Sequence, residues 1–118
     1  MTATTVEQSE HFVKLGVPLE SADMIWKEYH GKNEDGDFKY YDLDNVPFRY
    51  YSGIAIPAWS LESILDLLPL PLLTQNSDST WSCAIYPNGK QLHVDFLKSP
   101  LEAAYKAVCK LKESQNDI

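Results

Sequence analysis

Two groups of residues have types and spacings that could do chemistry. His93 and Asp95 stand two apart, so on a strand both project from one side. There the carboxylate could orient the imidazole, or the pair could begin a metal site. A metal site needs a third ligand, which the neighbouring sequence does not offer, and a plain solvated or helix-packed polar face is the competing account. The cysteines, Cys83 and Cys109, are the candidate nucleophilic thiols. A reactive thiol needs a nearby cation or helix N-terminus to lower its pKa. Nothing local supplies either, so both read as small buried hydrophobes.

Other motifs fail on specific residues. Asn33, Asp35, Asp37 and Asp44 approach the spacing of a calcium loop, but Phe38 occupies the position where glycine must allow the sharp turn. No Gly-x-Ser-x-Gly elbow, phosphate-cradling loop or dinucleotide fingerprint occurs, and the five glycines are scattered singly. No catalytic residue, metal or cofactor is therefore assigned. What remains is aromatic density: Tyr40, Tyr41, Tyr50, Tyr51 and Trp59 fall within twenty residues, beside Asp42 and Asp44. Adjacent tyrosines on a strand point to opposite faces, which sends one of each pair away from the core. Exposed aromatics anchor protein partners. The alternative is a second helical layer covering both faces.

The elements that must position these residues follow from caps and periodicity. Thr5 and Gln8 form a capping box for a first helix that carries Phe12, Val13 and Leu15 and ends at Gly16. Beyond Pro18, Ser21 caps a second short helix with Met24, Ile25 and Tyr29 at helical spacing, closed by His30 and Gly31. Residues 32–37 read as a loop, and 38–43 and 48–56 as strands rich in aromatic and β-branched residues. Ser60 caps a helix over 61–68, which Pro69 stops, and 70–80 reads as the most mobile internal linker.

A C-terminal hairpin joins 81–86 to 90–96 around Asn88-Gly89, the dipeptide suited to a type I′ turn. Its register pairs Ile85 with Leu92, Cys83 with Val94 and Trp81 with Phe96 on an apolar face, leaving His93 and Asp95 on the polar one. Ser99, Pro100 and Glu102 open a last helix with the stripe Leu101, Ala104, Tyr105, Val108 and Leu111.

The bulk properties set limits. At 118 residues with 44% hydrophobic side chains, the chain reads as one folding domain, 1–118, with flexible ends over about 1–4 and 114–118. Ten basic against seventeen acidic residues give a net charge of −7, which repels a phosphate backbone and makes nucleic acid an unlikely partner. The most apolar stretch, 61–73, contains Glu62 and Asp66 and is broken by Pro69 and Pro71, so no membrane span is expected. Two cysteines without metal or redox spacing, and a start lacking a signal peptide's basic and apolar regions, point to the cytoplasm.

The order Ile56-Pro57-Ala58-Trp59-Ser60-Leu61 entering a Leu-rich helix, then a Trp-containing hairpin, then Ser99-Pro100-Leu101-Glu102-Ala103-Ala104-Tyr105, resembles a group of uncharacterised proteins. That group comes from Bacteroides-type gut bacteria, their prophages and mobile elements, and the resemblance covers roughly 12–113. It implies a bacterial, cytoplasmic accessory protein from a phage or integrated element, and it carries over no activity and no functional residue.

The expected fold is α+β: a small antiparallel sheet, including the C-terminal hairpin, packed against three to four helices. The leading functional expectation is a non-enzymatic module that binds a protein partner or a second copy. An acidic mimic of DNA and a small metal-dependent enzyme using His93 and Asp95 are the alternatives.

Overall fold

The computed structural model describes residues 2–116 and has an α+β architecture. Helix α1 (Val6–Lys14) begins at a complete Thr5–Gln8 capping box, and Gly16 takes the positive φ that lets the chain leave it. Helix α2 (Leu61–Asp66) is capped by Ser60, whose hydroxyl accepts from the Ser63 N–H while Asp23 receives the Ser60 N–H and hydroxyl. Helix α3 (Pro100–Asn116) starts with proline at its first position and with Ser99 accepting the Glu102 N–H at 3.1 Å.

The strands form two separate three-stranded antiparallel sheets where the sequence predicts one. In the first, β1 (Met24–Asn33) is central between β2 (Gly36–Asp44) and β3 (Ala55–Ala58). In the second, β5 (Trp81–Ile85) is central between β4 (Leu72–Gln75) and β6 (Leu92–Leu97).

Strand β1 overturns the expected second helix. Met24, Ile25 and Tyr29 have helical spacing, but Ile25, Trp26 and Tyr29 are strand-forming types, and pairing over nine positions with β2 decides for the strand. Asn33 faces Gly36 across the two-residue turn Glu34-Asp35, and Gly36 carries the positive φ. The expected strand over 48–56 is mostly a short 3-10 turn at Phe48–Tyr50 followed by irregular chain. Only Ala55–Ala58 pairs, at the sheet edge where Pro57 lacks no needed donor. The expected linker over 70–80 contains β4, which pairs through Leu72 and Ala84 to Gln75 and Trp81.

In the second sheet Cys83 lies opposite Val94, Ala84 opposite His93 and Ile85 opposite Leu92. A bulge next to Trp81 then changes the parity, so Trp81 faces Leu97 instead of the expected Phe96. Phe96 adopts φ 63° and is 70% exposed, so it leaves the core, and Leu97 takes the place beside it. Between the strands Asn88 and Gly89 both have positive φ, and the Lys90 N–H donates to the Pro87 carbonyl at 3.0 Å.

The core joins α1, α2, α3 and the inner face of the second sheet: Phe12, Ile64, Cys83, Ile85, Tyr105 and Val108 are among its buried members. Trp59, at the end of β3, is wholly buried at their centre, edge-on to Phe12 with ring centroids 5.1 Å apart. Thr4 is also wholly buried although the sequence predicts a loose end over 1–4. Its N–H donates to Trp59 O, its carbonyl accepts from the Trp26 indole, and its hydroxyl accepts from the Trp59 N–H and bonds Ser9. At the other predicted loose end, 114–116 continue α3, while Met1, Asp117 and Ile118 lie outside the described residues.

One part stands away from this core. Residues 32–40 are all exposed, and β3 pairs only with Met24–Lys27, so the rest of the β1–β2 ribbon has no layer against it. From Lys27 to the turn the ribbon extends about 20 Å. The radius of gyration, 16.0 Å, exceeds the roughly 13–14 Å of a compact chain this long, and the long axis reaches 54 Å. We call this ribbon the arm.

Candidate functional site

The two faces of the arm differ because opposite residues in an antiparallel pair share a face. One face carries Lys27 and Asp42, then Tyr29 and Tyr40, then Gly31 and Phe38. The Tyr29 and Tyr40 rings stack across the strands at 5.2 Å and 17°, and Phe38 stacks on Tyr40 at 6.0 Å and 25°. Gly31 makes this possible. A Cβ there would meet the Phe38 ring at 2.3 Å, so the ring lies directly over the glycine backbone. The three rings remain 39%, 47% and 42% exposed for Tyr29, Tyr40 and Phe38. They form a preordered aromatic ladder in water.

The opposite face is a closed polar network. Glu28 receives hydrogen bonds from Tyr41 and His30, each at 3.2 Å, and pairs with Lys39 at 3.4 Å. Partial burial pushes its carboxyl up, but the bonds from His30, Tyr41 and Lys39 outweigh this and hold it below its ordinary value. Tyr41 is therefore engaged within the arm, with the Lys39 ammonium 5.8 Å from its ring centre.

The remaining aromatic candidates separate. Tyr50, 71% exposed, lies on the 3-10 turn beneath the Arg49 guanidinium. Tyr51 is half-buried, covers Gly53 and carries Lys27 over its ring at 5.7 Å. Trp59 does not reach the surface: it is 0% exposed, and its indole N–H donates to the hydroxyl of the half-buried Ser21. Tyr29 and Phe38, absent from the sequence-derived set, belong to the ladder. The signal for them is the Asp35-Gly36 turn dipeptide standing between two stretches that contain strand-forming aromatics.

His93 and Asp95 project from the outer face of the second sheet. The imidazole Nδ1 lies 2.8 Å from Asp95 Oδ2, and the bonds from His93 and then Ser82 hold the Asp95 carboxyl below its ordinary range. With Thr74, Ser82, Ala84 and Gln91 they line a depression of about 230 Å³. Among the described residues no three His, Cys, Asp or Glu side chains are grouped to hold a metal ion. Cys83 is buried on the inner side of β5, where desolvation pushes its thiol pKa up.

A thiol and an imidazole do meet, in a place the sequence did not indicate. Cys109 Sγ lies 3.7 Å from His11 Nδ1 where α3 packs on α1, and the Tyr105 hydroxyl bonds the same nitrogen at 2.7 Å. Residues 98 positions apart leave no local signal for this contact. Burial raises the pKa of both Cys109 and Tyr105, so the thiol and phenol are neutral. With Nδ1 already engaged by the phenol, the imidazole has no free base on that side. The cluster satisfies buried polar groups and leaves Cys109 unactivated.

No protein-family model matches the chain, and no curated protein or solved structure matches it. No described helix is long and apolar enough to cross a membrane.

Proposed function

We propose that this chain is a non-enzymatic protein-interaction module that engages its partner through the aromatic face of the arm. The observation carrying this reading is the stacked, exposed ladder of Tyr29, Tyr40 and Phe38 on a ribbon with no other layer against it. Aromatic rings contribute large contact area with only two side-chain torsions to freeze, and stacking has already restricted them. A row of aromatic rings left in water is costly unless a partner covers it.

The other readings draw less support. The arm's lysines pair with its acids, Lys27 with Asp44, Lys32 with Asp37 and Lys39 with Glu28, so its carboxylates do not form the unbroken row a DNA mimic needs. His93 and Asp95 have no third ligand for metal chemistry among the described residues. A reducing, cytoplasmic setting suits the unpaired Cys83 and Cys109, and a bacterial accessory role is part of the same proposal.

Sedimentation of the wild-type chain first tests for a second copy as the partner. Affinity capture from the source cell with wild type and with the Tyr29→Ser/Tyr40→Ser variant then tests for another protein, followed by calorimetry on the captured species. The expected result is one saturable complex, or a dimer, that the variant loses at unchanged secondary structure. A lone monomer with no partner, or equal binding by the variant, overturns the proposal.

A further inference from the structure

Charge on the arm indicates what kind of segment the ladder takes. Residues 27–44 contain six acids, Glu28, Glu34, Asp35, Asp37, Asp42 and Asp44, against the lysines 27, 32 and 39, a net charge of −3 from 3 − 6. Lys27 pairs with Asp44 at 2.6 Å and Lys39 with Glu28 at 3.4 Å, while Lys32 stands 4.0 Å from Asp37 with both side chains in water. Among the described residues no cation lies within ion-pair reach of Asp42, Glu34 or Asp35.

These acids bracket the ladder. Asp42 shares the aromatic face one pair before Tyr29 and Tyr40, while Glu34 and Asp35 form the turn just beyond Gly31 and Phe38. The span from Asp42 to the turn is about 20 Å, the length of six extended residues. A ligand along this face therefore meets Asp42 beside Lys27, whose ammonium is turned to Asp44, then three aromatic rings, then the acidic turn.

We infer that the occupant is an extended, arginine-bearing segment of another protein, with arginines about six residues apart and apolar or planar groups between them. This rests on the reading of the arm as an interaction face. Arginine suits both features, because its guanidinium stacks on aromatic rings and forks onto carboxylates, whereas a lysine ammonium does neither as well. The same negative field disfavours acidic segments and nucleic acid, the other common users of stacked aromatics.

The test uses the full chain, isotope-labelled, and a synthetic nine-residue peptide with arginine at its second and eighth positions and valine or asparagine between. Matched peptides replace both arginines with lysine, with glutamate, or with neutral glutamine. The arginine peptide is expected to shift amide and ring signals of residues 27–44 and leave 81–97 unmoved. The lysine peptide should bind roughly fivefold more weakly, added salt should weaken both, and Asp42→Asn should lower affinity roughly threefold to tenfold at unchanged melting temperature.

If the glutamine peptide binds the ladder as tightly as the arginine peptide, the inference about charge falls while the arm remains an interaction face. If the arginine peptide shifts signals elsewhere, or no peptide shifts the arm, the inference also falls. The arm's role is then judged separately by the capture comparison with the Tyr29→Ser/Tyr40→Ser variant.

Discussion

Replacing Thr4 with valine keeps the branched shape and deletes one oxygen, which in this fold serves two partners. Thr4 Oγ1 accepts the Trp59 N–H at 3.1 Å and bonds the Ser9 hydroxyl at 2.7 Å, and all three residues are wholly buried. The valine leaves the Trp59 N–H with no acceptor and no route to water, a loss of about 1–3 kcal/mol. The serine hydroxyl can turn back to a carbonyl of its own helix, so it adds little. Taking about 2 kcal/mol, a chain of this size should melt roughly 6–10 °C lower. Ser9→Ala should cost about 1 kcal/mol, and the double variant should fall short of the sum by a similar amount, since the shared bond is lost only once. Urea unfolding and calorimetry of the four proteins measure this cycle. A Thr4→Val protein within about 0.5 kcal/mol of wild type would refute the claim that this N-terminal segment is bonded into the core.

Aromatic residues on and off the core should separate in the same assay: Trp59→Ala should cost about 3–5 kcal/mol and Tyr40→Ala about 1–2, because Tyr40 keeps 47% of its surface in water. The reverse order would undo the division between core and ladder. Carbon-detected titration should place the Glu28 carboxyl below its ordinary 4.5, with Lys39→Met moving it upward. Because that value is depressed on folding, its contribution to stability is present above 4.5 and is lost as pH falls through the folded value. A midpoint at or above 4.5 contradicts the network. Cys109 should react with iodoacetamide on the order of 100-fold more slowly in the folded chain than in urea, despite its nearby imidazole. Equal rates would mean that the thiol is activated after all.

The starts of the three α-helices were legible because caps are local, although Ser21, read by the same rule, caps no helix and donates its hydroxyl to the Pro18 carbonyl of a 3-10 turn. Thr5 with Gln8, Ser60 with Ser63 and Ser99 with Glu102 each lie three residues apart, and each makes the expected bond from backbone N–H to side chain. The arm was not legible, because Met24 to Tyr29 suits either a helix or a strand and the deciding partners lie in 40–44. Phe96 was misplaced for a similar reason: pattern alone does not reveal where a bulge inserts an extra residue. Of the site, the sequence showed Tyr40 and the density of aromatics around it. It could not show that Trp59, nineteen positions on, turns inward while Tyr29, eleven positions back, turns out beside Tyr40.

Hydrogen exchange on the complex with the captured partner, or on the dimer, tests the arm most directly. Protection should appear over residues 28–40, and the outer face of the second sheet around Ser82, His93 and Asp95 should exchange as it does in the free chain. Protection confined to that sheet, with the arm unchanged, would contradict the assignment of the aromatic ladder as the binding surface.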